Sequence, residues 1–315
     1  MQDQQVRRSL RTGLAIVAVA GAAATAVRRA QNPGTAPARL DLTPLHRGGS
    51  GSPLLLLHGI GTIWRVWTPV LHFLEPHHDV IAPTLRGHGG GLPLGPVIPS
   101  LDALADGVED DMDVLGLRQV HIVGNSLGGW LAIELARRGR ARSLVLLSPA
   151  GAWRSERRIE LTATTIRAHL AVTCRSAPHA DVVAANPVLR WLMLAGQVAH
   201  PGRVAPEFVA AAIRASVAAS AVPTLLRVLP QQHLKALPAE RDYPLRVVWP
   251  THDRVLPFDE FGVPMLARLP GAELVRLDGV GHVPMSDDPA AVAQLILDVT
   301  RAVDSRTGAR VGDDA

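Results

Sequence analysis

Short apolar runs alternate with helix-patterned stretches along most of this chain, and that alternation narrows the folds open to it. Apolar runs at 53–57, 80–83, 120–123, 144–147, 245–249 and 273–277 are separated by amphipathic stretches at 64–74, 101–115, 127–138, 258–269 and 290–303. Strands that alternate with helices form a mostly parallel sheet covered on both faces. Uninterrupted apolar runs are what strands buried on both sides require. The pattern predicts an α/β fold with a mostly parallel central sheet flanked by helices. One segment departs from it. Between 151 and 239 no strand pattern occurs, and apolar residues recur at helical spacing: Ile159, Leu161, Ile166 and Leu170, then Val188, Leu189, Leu192 and Leu194, then Phe208, Val209, Ile213 and Val217. This predicts a helical insertion at 151–239 in a body made of 38–150 and 240–304, with 305–315 as a disordered tail.

Charge is unevenly placed. Residues 1–29 carry Arg7, Arg8, Arg11, Arg28 and Arg29 against the single acid Asp3, which accounts for the whole net charge of +4. The remaining chain is neutral, so it lacks the basic surface that nucleic-acid binding requires. An apolar run at 14–27 follows the first arginines. It is shorter than the roughly 20 residues of a bilayer span and matches the core of a signal peptide. Residues 1–37 are therefore read as a signal-like or anchor segment with a linker. This predicts export or membrane contact, the alternative being an alanine-rich helix on a cytoplasmic protein. Cys174 is the only cysteine, so no intrachain disulfide and no multi-cysteine metal site can form. No metal or cofactor is expected, since no G-x-G-x-x-G follows the first apolar run.

The chemistry is carried by Gly124-Asn125-Ser126-Leu127-Gly128-Gly129, which follows a predicted strand and opens a predicted helix. A serine hydroxyl is a weak nucleophile unless it is held exposed beside a base, and a sharp strand-to-helix turn exposes it. Asp253 and His282 each fall just after a later apolar run, where open α/β sheets place their sites. In the order Ser126, Asp253, His282 they predict a triad: His282 takes the proton of Ser126, and Asp253 fixes its tautomer. Developing negative charge needs backbone donors, and Leu127 and Ile60, the latter in His58-Gly59-Ile60-Gly61, are the candidates for that oxyanion hole. His58 is read as a brace of its loop.

At these residues, and at Leu85-Arg86-Gly87-His88-Gly89, the chain resembles the α/β-hydrolase superfamily over about residues 50–303. The resemblance implies an eight-stranded sheet and identifies the insertion with the family's cap. Here the region before Pro53 offers at most one strand, at 40–45, and Thr84 stands where the family usually has Asp. Family members that open epoxides or dehalogenate use an Asp nucleophile, and the epoxide hydrolases also use cap tyrosines. Here the nucleophile position is Ser126, and the only tyrosine, Tyr243, lies beyond the insertion. The leading expectation is a serine hydrolase of small to medium apolar carboxylic esters. Carbon–carbon bond hydrolysis, thioester hydrolysis and perhydrolysis are the alternatives, with a non-catalytic binding relative behind them. The apolar run around Trp191 and Met193 makes these two the candidate substrate contacts.

Overall fold

The computed structural model describes residues 41–313. The readings placed on residues 1–37 lie outside the described residues. Among the described residues seven strands form one sheet: β1 (Leu45–Gly48), β2 (Ser52–Leu57), β3 (His78–Pro83), β4 (Val120–Asn125), β5 (Ala141–Leu147), β6 (Leu245–Pro250) and β7 (Glu273–Leu277). Their order is β1-β3-β2-β4-β5-β6-β7. Only β1 runs antiparallel, pairing Leu45 with Pro83 and Gly48 with Val80. It begins where the sequence reading placed the end of a strand at 40–45, and the Thr84 amide binds the Pro44 carbonyl at 2.7 Å to set the start of that pairing.

The helices are α1 (Thr68–Leu74), α2 (Leu101–Val114), α3 (Leu127–Arg137), α4 (Glu156–Ser176), α5 (Ala180–Ala185), α6 (Pro187–Leu194), α7 (Pro206–Val217), α8 (Val222–Val228), α9 (Val263–Leu266), α10 (Pro284–Asp287) and α11 (Pro289–Asp313). Polar side chains fix several starts: Ser100 accepts from the Ala103 amide, Ser155 from Arg158, and Asn186 from Val188 and Leu189. The helix expected over 258–269 is split. Phe258–Gly262 forms a π-helical turn, and the ring of Phe258 fills the space beside Gly262, before α9 begins. The tail expected at 305–315 is helical as far as Asp313, because α11 continues without a break.

Alternation along each strand divides the core in two. Leu55, Leu57, Ile122, Leu144 and Val247 face α2, α3 and the π-turn segment. Leu54, Leu56, Val123, Val145 and Val248 face α1 and α11. A side-chain period of two makes this division follow directly from apolar strand runs. Between β5 and β6 the chain is helical from α4 to α8 and has a small core of its own, built from Ala180, Val183, Ala184, Leu189, Val209, Ala210 and Ile213. Among the described residues no single helix is long and apolar enough to cross a membrane.

A polar network at the opposite end of the sheet from Ser126 docks α11. His121 lies 2.7 Å from Ser143 Oγ and 3.1 Å from Asp304 Oδ1, His78 lies 2.8 Å from Thr300 Oγ1, and Ser52 donates to Asp304 Oδ2 at 2.6 Å. Burial lowers the His121 pKa to about 4, against the opposing pull of Asp304.

Candidate active site

Ser126 stands between β4 and α3 with φ 55° and ψ −115°. A positive φ is uncommon for a residue with a Cβ, and its strain is held by the surroundings. The Ser126 amide binds the Leu147 carbonyl at 3.0 Å, and its own carbonyl accepts from Ala150 at 2.9 Å and Trp130 at 3.2 Å. The turn also needs Gly128. A Cβ there would sit 2.0 Å from the Leu57 carbonyl oxygen, so only glycine lets α3 start against β2.

His282 and Asp253 meet as the sequence reading requires. His282 Nδ1 is 2.7 Å from Asp253 Oδ2, and both side chains are buried. The other oxygen, Oδ1, accepts from the amides of Val255 at 2.9 Å and Leu256 at 2.7 Å. Those two donors fix which face of the carboxylate points at the imidazole. Asn125, to which the sequence reading gave no role, joins the two loops: its Nδ2 donates to the His282 carbonyl at 2.9 Å and to the Leu147 carbonyl at 3.1 Å.

The loop after β2 passes beside Ser126, where a Cβ on Gly59 would come within 3.3 Å of the Ser126 Cβ. Ile60 and Leu127 both line the cleft that contains Ser126. Leu127 is the first residue of α3, so its N–H has no acceptor within the helix. His58 holds the loop from below. The Leu85 amide donates to its Nε2 at 2.9 Å, so the proton sits on Nδ1, which donates to the Gly59 carbonyl at 2.8 Å. Thr84 hydrogen-bonds through Oγ1 with the Thr43 carbonyl at 3.3 Å and the Trp64 amide at 3.4 Å, which occupies the place where the family usually has Asp.

Full burial lowers the His58 pKa to about 3 and that of the neighbouring His88 to about 4. With His121 these are three histidines neutral in the folded chain that bind a proton on unfolding below about pH 6.5. The unfolded state then holds more protons, so their contribution to stability is complete above that pH and is lost as pH falls toward 4. The loss is about 1 kcal/mol per histidine per pH unit. Urea unfolding at pH 5 should therefore show a stability several kcal/mol below that at pH 7. Equal stabilities at the two pH values would contradict neutral burial of these rings.

The cleft has a cavity volume of about 60 Å³ and is partly open to solvent. Trp130 and Trp153 form one wall, with ring centroids 6.3 Å apart. Gly151, at φ 111°, lets the chain cross the Trp130 ring, from which a Cβ would be only 2.7 Å away. Ile159, Thr162, Ala163 and Ile166 of α4 form a second wall, and Leu226, Leu229 and Pro230 a third. Among the described residues no charged side chain lines the cleft.

Trp191 and Met193, the expected substrate contacts, are elsewhere. Trp191 is 53% exposed, and Met193 packs on the separate core of the inserted helices. The reason is the phase of α6. Leu189 anchors its inner face, so Met193, four residues on, points the same way and Trp191 points outward. The tryptophans that do line the cleft lie in α3 (Trp130) and in the loop after β5 (Trp153), where sequence spacing carries no signal for a pocket.

The sequence matches the model of the alpha/beta hydrolase family over residues 54–295. The chain belongs to that family. This hydrolase is 38% identical over 199 residues to the epoxide hydrolase EphH of Mycobacterium tuberculosis, a match covering 61% of the chain and 91% of that protein. It is also 38% identical over 114 residues to the 2-hydroxymuconate semialdehyde hydrolase of Pseudomonas sp. strain CF600, covering 35% of the chain and 40% of that protein. A solved esterase from Thermogutta terrifontis superposes with a TM-score of 0.60 at 24% identity, covering 82% of this hydrolase and 93% of the esterase. These relatives perform different hydrolytic reactions on one fold, so the reaction of this chain has to be argued from its own site.

Proposed function

We propose that this hydrolase cleaves carboxylic esters of small to medium apolar acids. The observation that carries the reading is a serine at the strand-to-helix turn, opening into a cleft without charged walls. In this mechanism Ser126 Oγ attacks the acyl carbon as His282 takes its proton, and Asp253 stabilises the imidazolium. The backbone N–H groups of Ile60 and Leu127 bind the developing oxyanion. The C–O bond to the alcohol then breaks, His282 protonates the departing alkoxide, and water activated by His282 releases the acid and frees Ser126.

The same serine argues against epoxide opening, despite the similarity to EphH. Attack by a serine alkoxide on an epoxide carbon gives an ether, which water does not cleave, whereas a carboxylate nucleophile gives an ester, which it does. Carbon–carbon bond hydrolysis is the second reading, favoured by the similarity to the semialdehyde hydrolase. The uncharged lining favours a neutral acyl group over a carboxylate-bearing one, because an unpaired charge is costly to bury.

Each methylene of an acyl chain buried in this cleft adds about 0.8 kcal/mol of binding. With p-nitrophenyl esters, kcat/KM should rise several-fold from acetate to butyrate or hexanoate and fall once the chain outgrows the space between Trp130 and Ile166. Fastest turnover on acetate, or on anionic esters, would contradict this assignment of the cleft.

A further inference from the structure

Asp287 has no place in the triad, yet its carboxylate is buried, at 1% exposure, beside the loop that carries His282. Oδ2 accepts from the Gly281 amide at 2.7 Å and the Ala199 amide at 2.8 Å, and Oδ1 accepts from the His200 amide at 2.7 Å. One acceptor group thus joins the residue before His282 to the segment that follows α6. Two further contacts run across the same junction. The Val283 amide donates to the Gln197 carbonyl at 3.0 Å, and Arg203 Nη1 donates to the Asp287 carbonyl at 2.6 Å. The two backbones are packed so closely that a Cβ on Gly281 would lie 2.8 Å from the Ala199 nitrogen and 2.9 Å from the Gln197 oxygen. His282 is therefore gripped on both sides by residues 197–200 of the helical insertion.

We infer that Asp287 is a positioning residue for His282, and that it makes the inserted helices part of the device that sets the base. The inference rests on the proposed Ser126–His282 chemistry. Its physical basis is a count of donors. Three backbone N–H groups converge on two oxygens, and charge-assisted bonds of this kind are the strong ones. An amide in place of the carboxylate has one oxygen and one NH2 group. In either orientation the NH2 faces at least one of the three N–H groups, so the strand of backbone at 197–200 separates from Gly281. His282 keeps its bond to Asp253 but loses its registration with Ser126. A displacement of about 1 Å in a reacting group can lower a rate by about 100-fold. Because His282 serves both acylation and deacylation, the loss falls on kcat rather than on KM.

The test uses the full chain and a p-nitrophenyl butyrate assay, together with the rate at which a fluorophosphonate labels the protein. Asp287→Asn should lower kcat by roughly 10- to 100-fold, leave KM nearly unchanged, and slow labelling by the same factor, with the far-ultraviolet circular dichroism of the native protein retained. A folded Asp287→Asn protein that unfolds at lower temperature but keeps native kcat and labelling rate would overturn the inference, since a purely structural role predicts that result. If Asp287→Asn does not fold, Arg203→Gln removes one tie across the junction. It should then lower kcat several-fold at constant KM, and native kcat there would overturn the inference. Wild-type protein that neither turns over the ester nor takes the label would instead count against the ester reading itself.

Discussion

Ser126→Ala should lower kcat on a butyrate ester by roughly 10⁴-fold or more while leaving the fold intact. The side chain is small and lies at the cleft, so its removal disturbs no packing in either core. Alanine tolerates a positive φ no better than serine does, and the turn is held by backbone bonds from Leu147, Trp130 and Ala150 that the substitution leaves in place. What disappears is the atom that would form the acyl-enzyme. The residual rate measures oxyanion stabilisation and binding alone. Steady-state turnover, with circular dichroism on the same sample, checks this. Near-native turnover in the folded variant would place the chemistry on another group.

Asp253→Asn should cost about 10⁴-fold in kcat, for a different physical reason. The amides of Val255 and Leu256 both point at Oδ1, so the asparagine oxygen must occupy that position. Its NH2 group then faces His282 Nδ1 in place of Oδ2, which now lies 2.7 Å from that nitrogen. A donor there forces the imidazole proton onto Nε2, the atom that has to accept the proton of Ser126. The variant keeps the geometry and holds the wrong tautomer. Substrate affinity should be little altered, since Asp253 does not line the cleft. Turnover within a few-fold of native would move the orienting role to another carboxylate.

The parts of this site that could be read from sequence are those whose residues are contiguous or tied to a strand end. The turn at Ser126 is written in six consecutive residues, and Asp253 and His282 each follow a run whose period marks it as a strand. The parallel sheet was legible for the same reason, because burial on both faces leaves an uninterrupted apolar run. The cleft was not legible. Its walls come from α3, the loop after β5, α4 and the segment around Leu229, and which face of each helix turns inward depends on contacts distant in sequence. Trp191 shows the difficulty: it lies in the most apolar run of the insertion, Leu192, Met193 and Leu194 following it, yet the packing of Leu189 turns it to solvent. The role of Asp287 has no mark in the sequence, because its partners are backbone amides, which carry no residue-type signature. The π-helical turn ending at Gly262 likewise depends on the packing of the Phe258 ring more than on local propensity.

Fluorophosphonate labelling followed by peptide mapping tests most directly whether Ser126 is a nucleophile activated by His282. One adduct per chain is expected, on the peptide containing Ser126, with no label on Ser126→Ala and sharply slowed labelling of Asp253→Asn. A catalytically active protein that takes no label, or that carries it on a different residue while Ser126→Ala remains active, would contradict it.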